Sequence, residues 1–211
     1  MFDLGAFSQA LLHDVQVSQV QLVELYAVLH AVKAGQMTVA GAIERLERSP
    51  HWVWAAIDPQ SKLLLAIDVG ERTLAMAQHL VHQVVEVLAP GRVPPFLTDG
   101  LKEYGTALLT HVGQWVQPPR RRAIGPTPKP RWMPLPELRY TQVVKTYRRR
   151  RLVRVSHRVI FGTLAGVKHV LASQGWHINT AFIERVNLTI RQHVAAVGRR
   201  VITLCKSKEG L

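Results

Sequence analysis

The chain has 211 residues, 47% hydrophobic and 19% charged, which excludes a disordered tail and predicts one medium-sized α/β domain, with or without an insertion. Its single cysteine, Cys205, excludes a disulfide framework and a multi-cysteine zinc site and is expected to be structural. The net charge is +13 and unevenly spread: residues 120–158 hold 13 Lys or Arg against the single acid Glu137, so that stretch carries +12 and everything else +1. A cationic block on a near-neutral body predicts a polyanionic partner, because neutralising phosphates releases condensed counterions. The alternative is a solvated arm.

Residues 7–48 carry helical patterning, with Val20, Leu22, Leu25, Val28 and Leu29 on one face, then a short helix over residues 39–46. Val15 to Leu22 also alternates apolar and polar residues, so a strand fits its start equally well. His51–Asp58 and Leu63–Val69, joined by Pro59-Gln60-Ser61-Lys62, read as a β-hairpin. Thr73–Leu88 has apolar residues at helical spacing and stops before Pro90-Gly91. Val93–Thr98 reads as a short strand closed by Asp99-Gly100, and Tyr104–Val112 as a helix.

Pro118–Pro136 holds seven of the twelve prolines and predicts an extended loop or arm. Val143–Ile160 is β-prone and studded with arginine, including Arg148-Arg149-Arg150-Arg151. Thr163–Gln174 and Ala181–Val197 read as helices, the second ended by Gly198. The longest apolar runs, such as Leu63–Ile67, are too short to span a bilayer, and the N-terminus lacks a signal-peptide layout, so no membrane association and a soluble, cytoplasmic protein are expected.

An acid at a strand end and a glutamate on a covering helix can converge on divalent cations. Here those are Asp99 and Glu184, with a turn or cap role as the simpler alternative for Asp99. The strings Gly70-Glu71-Arg72-Thr73, Phe96-Leu97-Thr98-Asp99-Gly100 with Tyr104, and Glu184-Arg185-Val186-Asn187-Leu188 through Arg191-Gln192-His193 occur in this order. Together they resemble the insertion-sequence-one transposase family, a bacterial and archaeal DDE group, over roughly residues 51–105 and 181–207.

The resemblance implies a ribonuclease H-like mixed sheet flanked by helices, interrupted by a basic proline-rich insertion. Its expected parts are an N-terminal helical or first-strand segment (1–50), the first part of the core (51–117), the insertion (118–162) and the second part with the glutamate helix (163–211). It also implies DNA cleavage and strand transfer at insertion-sequence ends, DNA as partner, at least a dimer for synapsis, and Mg2+ or Mn2+ held by two aspartates and a glutamate. Asp99 takes the second-aspartate role and Glu184 the glutamate role. Arg191, about two helical turns beyond Glu184, falls near its face and is placed to meet phosphate. His193 falls more nearly opposite, where packing is the favoured role.

Departures from the family pattern carry their own expectations. In Val23-Glu24-Leu25-Tyr26, valine stands where the first aspartate is expected. Asp58 is an alternative ligand or, the favoured reading, a turn residue before Pro59. With one cysteine there is no zinc-binding, end-recognising segment, as in a truncated copy. Arg148 to Arg151, interleaved with Trp132, Tyr140 and Tyr147, are expected to grip the DNA backbone. Two functions compete: a DDE transposase and a catalytically inactive DNA-binding relict of one. An unrelated nuclease or RNA-binding domain would require all three motif matches to be accidental.

Overall fold

The structure, a computed structural model, describes residues 12–26, 52–120, 127–149 and 151–193. Three antiparallel strands open it: β1 (Val20–Tyr26), β2 (Trp52–Ile57) and β3 (Leu64–Gly70). Helix α1 (Leu74–Val87) leads to β4 (Phe96–Thr98), which pairs with β1 in parallel. After α2 (Glu103–His111), a small hairpin forms from β5 (Gly113–Val116) and β6 (Arg131–Pro134). The chain then returns as β7 (Tyr140–Arg148), parallel to β4, and β8 (Arg151–Phe161), antiparallel to β7. Helices α3 (Leu164–Ala172) and α4 (Ala181–His193) follow.

The result is an α/β protein with a mixed six-stranded sheet, in the order β3-β2-β1-β4-β7-β8, flanked by helices. Residues from α1 and α2, among them Leu80, Val84, Tyr104 and Leu108, pack with Leu22, Trp54, Phe96 and Tyr140 in the largest apolar cluster. Separate clusters join α3 to Leu97 and Val143, and α4 to Val23, Ala55 and Ile57. Trp54 meets Tyr104 edge-on with ring centres 5.8 Å apart, a favourable aromatic geometry.

Two expectations change here. The helical pattern drawn through Val20 and Leu25 is a strand over Val20–Tyr26: β1 lies between β2 and β4 and is buried on both faces, which erases the period-2 alternation that reveals half-buried strands. The extended arm also contains regular structure, because β6 forms within the proline-rich stretch, its edge position tolerating the loss of amide donors. Within the expected 118–162 insertion, β7 is a strand of the main sheet. The helix expected at 39–46, Cys205 and the residues after His193 lie outside the described residues.

Candidate functional site

Where β4 ends, the chain turns at Asp99-Gly100. Gly100 has φ +133°, a conformation that costs side-chain-bearing residues strain. A buried hydrogen-bond network supports this turn. Gln142 Nε2 donates to Leu101 O at 3.0 Å and to Tyr140 Oη at 2.9 Å, and Tyr140 Oη shares a 2.9 Å hydrogen bond with Thr98 Oγ1. The strand end that presents Asp99 is thereby tied to β7, and Asp99 itself stays exposed.

Glu184 sits in the first turn of α4, where a carboxylate complements the helix dipole. The start of α4 is tied to β1 by one buried side chain. Gln21 Nε2 donates to Asn179 O at 2.9 Å, and Gln21 Oε1 accepts from Ile183 N–H at 3.1 Å. Asn179 Oδ1 accepts from Ala181 N–H at 3.1 Å, an Asx turn that satisfies an amide at the helix start. Thr180 Oγ1 then donates to Glu184 Oε1 at 2.7 Å, and the Lys145 ammonium from β7 pairs with the same oxygen.

A third carboxylate belongs to Glu24 on β1, buried beneath this surface. The Arg72 guanidinium donates to Glu24 Oε1 from Nη2 at 2.8 Å and from Nε at 3.2 Å, and lies 5.1 Å from the centre of the Trp52 ring. Thr73, next in the chain, caps α1 by accepting from Met76 N–H at 3.4 Å, so the Gly70-Glu71-Arg72-Thr73 string both starts a helix and delivers the arginine. Burial, then the charge of Asp99, push the Glu24 carboxyl up to about 7 despite Arg72.

The pKa of Asp99 is also raised. Its carboxyl reaches solvent on one side, but the protein packed around the other side strips part of its hydration. Its backbone hydrogen bond and Arg72 oppose the rise, Glu184 adds to it, and Lys145 opposes it. The phenol of Tyr104 is pushed well above its ordinary value by complete burial and by the charges of Glu24 and Asp99. These effects define one electrostatic cluster, with Asp99, Glu184 and Arg72 at the surface, Lys145 beside Glu184, and Glu24 and Tyr104 buried behind.

The structure thus brings together Asp99 and Glu184 from the sequence reading and adds Glu24, Arg72, Lys145 and Gln21. Val23 offers no carboxylate: it is buried with Ala55, Ile57 and Ile183 under α4, the helix that carries Glu184. Asp58 does not join the cluster. It follows β2, which runs antiparallel to β1 and β4, so the chain continues past Asp58 and past Asp99 in opposite directions. Its carboxylate accepts from Ser18 Oγ (3.0 Å), Gln60 N–H (3.3 Å), Ser61 N–H (3.1 Å) and Ser61 Oγ (2.7 Å), the pattern of an Asx turn.

Arg191 is half-buried on α4, two turns from Glu184, and His193 is exposed at the helix end. Arg148, Arg149 and Arg151 are exposed at the tip of the β7–β8 hairpin; Arg150 lies outside the described residues.

Among the described residues, no three His, Cys, Asp or Glu side chains form a group that could hold a metal ion, and no helix is long and apolar enough to cross a membrane. Comparison with known protein families, with characterised proteins and with solved structures finds no match for this chain.

Proposed function

We propose that this chain is a DNA transposase of the DDE type, with a ribonuclease H-like core, cleaving and joining phosphodiesters at insertion-sequence ends. The observation that carries the reading is the pairing of Asp99, at the end of a strand beside β1, with Glu184, on a helix fastened to β1 through Gln21. The charge of Glu184 adds to the raised pKa of Asp99, and both carboxylates are exposed. The strand order, with three antiparallel strands followed by two parallel to the first, is compatible with that core.

Asp99 and Glu184 are hard oxygen donors and would hold one Mg2+ or Mn2+ ion. The donor chemistry fits, since both side chains are exposed carboxylates at the surface. When bound, such an ion supplies Lewis acidity at a phosphodiester. Lys145, beside Glu184, is placed to neutralise a phosphate oxygen, while the exposed Arg72 holds Glu24 and stabilises the charge of Asp99. The +12 segment supplies affinity for the DNA backbone.

A second reading, a DNA-binding relict without catalysis, is favoured by one observation. Val23, at the position of the expected first aspartate, is 3% exposed and packed against apolar side chains. Nicking of supercoiled plasmid DNA with Mg2+ or Mn2+ separates the two. The transposase reading expects nicking by the wild type that is lost in Asp99→Asn and Glu184→Gln. Nicking only after Val23→Asp establishes the relict, and nicking that survives Glu184→Gln removes the site from both readings.

A further inference from the structure

Strand β4 pairs only with Tyr140, Thr141 and Gln142 of β7, whereas β7 and β8 stay paired from Tyr140–Phe161 to Arg148–Arg151. Beyond Gln142 the hairpin is therefore a two-stranded ribbon. Because β7 runs parallel to β4, the ribbon projects from the end of the sheet at which β4 gives way to Asp99. Six residues of β7, Val143 to Arg148, extend about 20 Å.

The register decides which side chains share a face. Residues directly paired across an antiparallel ladder project to the same side, and successive pairs alternate. Gln142 pairs with Arg158, Val144 with Ser156, Thr146 with Arg154, and Arg148 with Arg151. Tyr147 pairs with Leu152, so Val153 is an extra residue, a bulge between Leu152 and Arg154. Without it, Arg151 and Arg154 would fall on opposite faces, being three positions apart. With it, Arg148, Arg151, Arg154 and Arg158 line a single face. The other face carries Val143–His157, Lys145–Val155 and Tyr147–Leu152, with Tyr147, Leu152 and Val155 exposed.

We propose that the arginine face of the β7–β8 ribbon docks on duplex DNA, the ribbon lying in the major groove; this rests on the DNA-directed reading above and deepens it. The β7 and β8 strands contain no acidic residue, and all four arginines on this face are exposed. The major groove is about 12 Å wide and admits a two-stranded ribbon. Arginines along one face of the ribbon meet the phosphates that rim the groove, with guanidinium geometry suited to them. The arginines face away from Lys145, so duplex held there lies across the ribbon from the Lys145–Glu184 pair.

The test uses the full chain and a fluorescent 30-base-pair duplex, with binding followed by anisotropy across a salt series. Replacing Arg148, Arg151 and Arg154 together by alanine should weaken binding by tenfold or more near physiological salt. It should also make the slope of log affinity against log salt shallower by about 2.7, or about 0.9 for each phosphate no longer neutralised. The triple lysine variant should keep the slope, and Leu152→Ser with Val155→Ser on the opposite face should leave both quantities unchanged. A major-groove ligand should compete with the protein, and a minor-groove ligand should not.

An unchanged slope in the alanine variant, an equal weakening in the opposite-face variant, or competition by the minor-groove ligand alone would overturn the proposal. Because binding is measured without cleavage, failure to nick plasmid DNA removes the transposase reading alone. Absence of the slope change removes the ribbon assignment alone.

Discussion

The side-chain carbonyl of Gln21 accepts a hydrogen bond from the backbone N–H of Ile183 at 3.1 Å, in a buried setting, across 162 positions of sequence. With the bond from Gln21 Nε2 to Asn179 O, it sets where α4 lies on the sheet, and hence where Glu184 meets Asp99.

Gln21→Leu keeps the bulk and removes both hydrogen bonds. The Ile183 N–H and the Asn179 carbonyl are then left without their partner, at a cost of about 1–3 kcal/mol for each group that remains buried. Urea unfolding should show destabilisation of about 2–4 kcal/mol, and amide exchange should quicken selectively in the first turn of α4. Uniform quickening throughout the sheet would show that Gln21 does not act on α4 in particular.

Glu24 gives folding a pH dependence of definite sign. Its carboxyl titrates near the ordinary value of 4.5 when unfolded and at about 7 when folded. The folded state therefore binds more protons between these values. This stabilising contribution is full below 4.5 and is lost as pH rises through about 7. Stability compared between about pH 4 and about pH 8 should fall less in Glu24→Gln than in the wild type; a larger fall in the variant would contradict the raised value.

Lys145 is both the partner of Glu184 and a charge that lowers the pKa of Asp99. Removing it by Lys145→Met should raise the Asp99 pKa further, read by carbon-detected NMR of the side-chain carboxyl. The same variant should bind Mn2+ more tightly by calorimetry, because the ammonium no longer competes for Glu184. Weaker Mn2+ binding would instead show that Lys145 organises the carboxylates.

Val23→Asp places a carboxylate in a nearly closed apolar setting beside Ile183 and Ile57. Burying a polar group without a partner costs about 1–3 kcal/mol by protein mutational measures, and more for a charged form. The variant should melt at lower temperature than the wild type without metal and recover part of that deficit on adding Mn2+. Thermal shift reads both, and a deficit of the same size with and without Mn2+ would show that position 23 does not face the cation.

Some of this site is legible in the sequence because its cues are local. The Asp99-Gly100 pair after a short apolar run marks a strand end, and Glu184 opens a segment with helical spacing. The hairpin of β2 and β3 and helix α1 are readable for the same reason: turn residues and periodicity act within a dozen positions. Glu24 escapes such a reading because a carboxylate inside an apolar strand has no local mark of its partner, and Arg72 lies 48 residues away. Lys145 is hidden among many cations, and only the fold sets it against Glu184.

Arg148, Arg151, Arg154 and Arg158 show where the boundary falls. Composition alone places the cationic block, since charge is a property of the residues themselves. Which arginines share a face depends on the register of β7 against β8 and on one extra residue at Val153, quantities that exist only once two strands pair. The same holds for the site as a whole. The residue types at positions 99 and 184 are written in the chain, but their meeting depends on β4 lying beside β1 and on Gln21 holding α4 across that strand, because long-range hydrogen bonds and packing, unlike turns and caps, leave no periodic trace in the sequence.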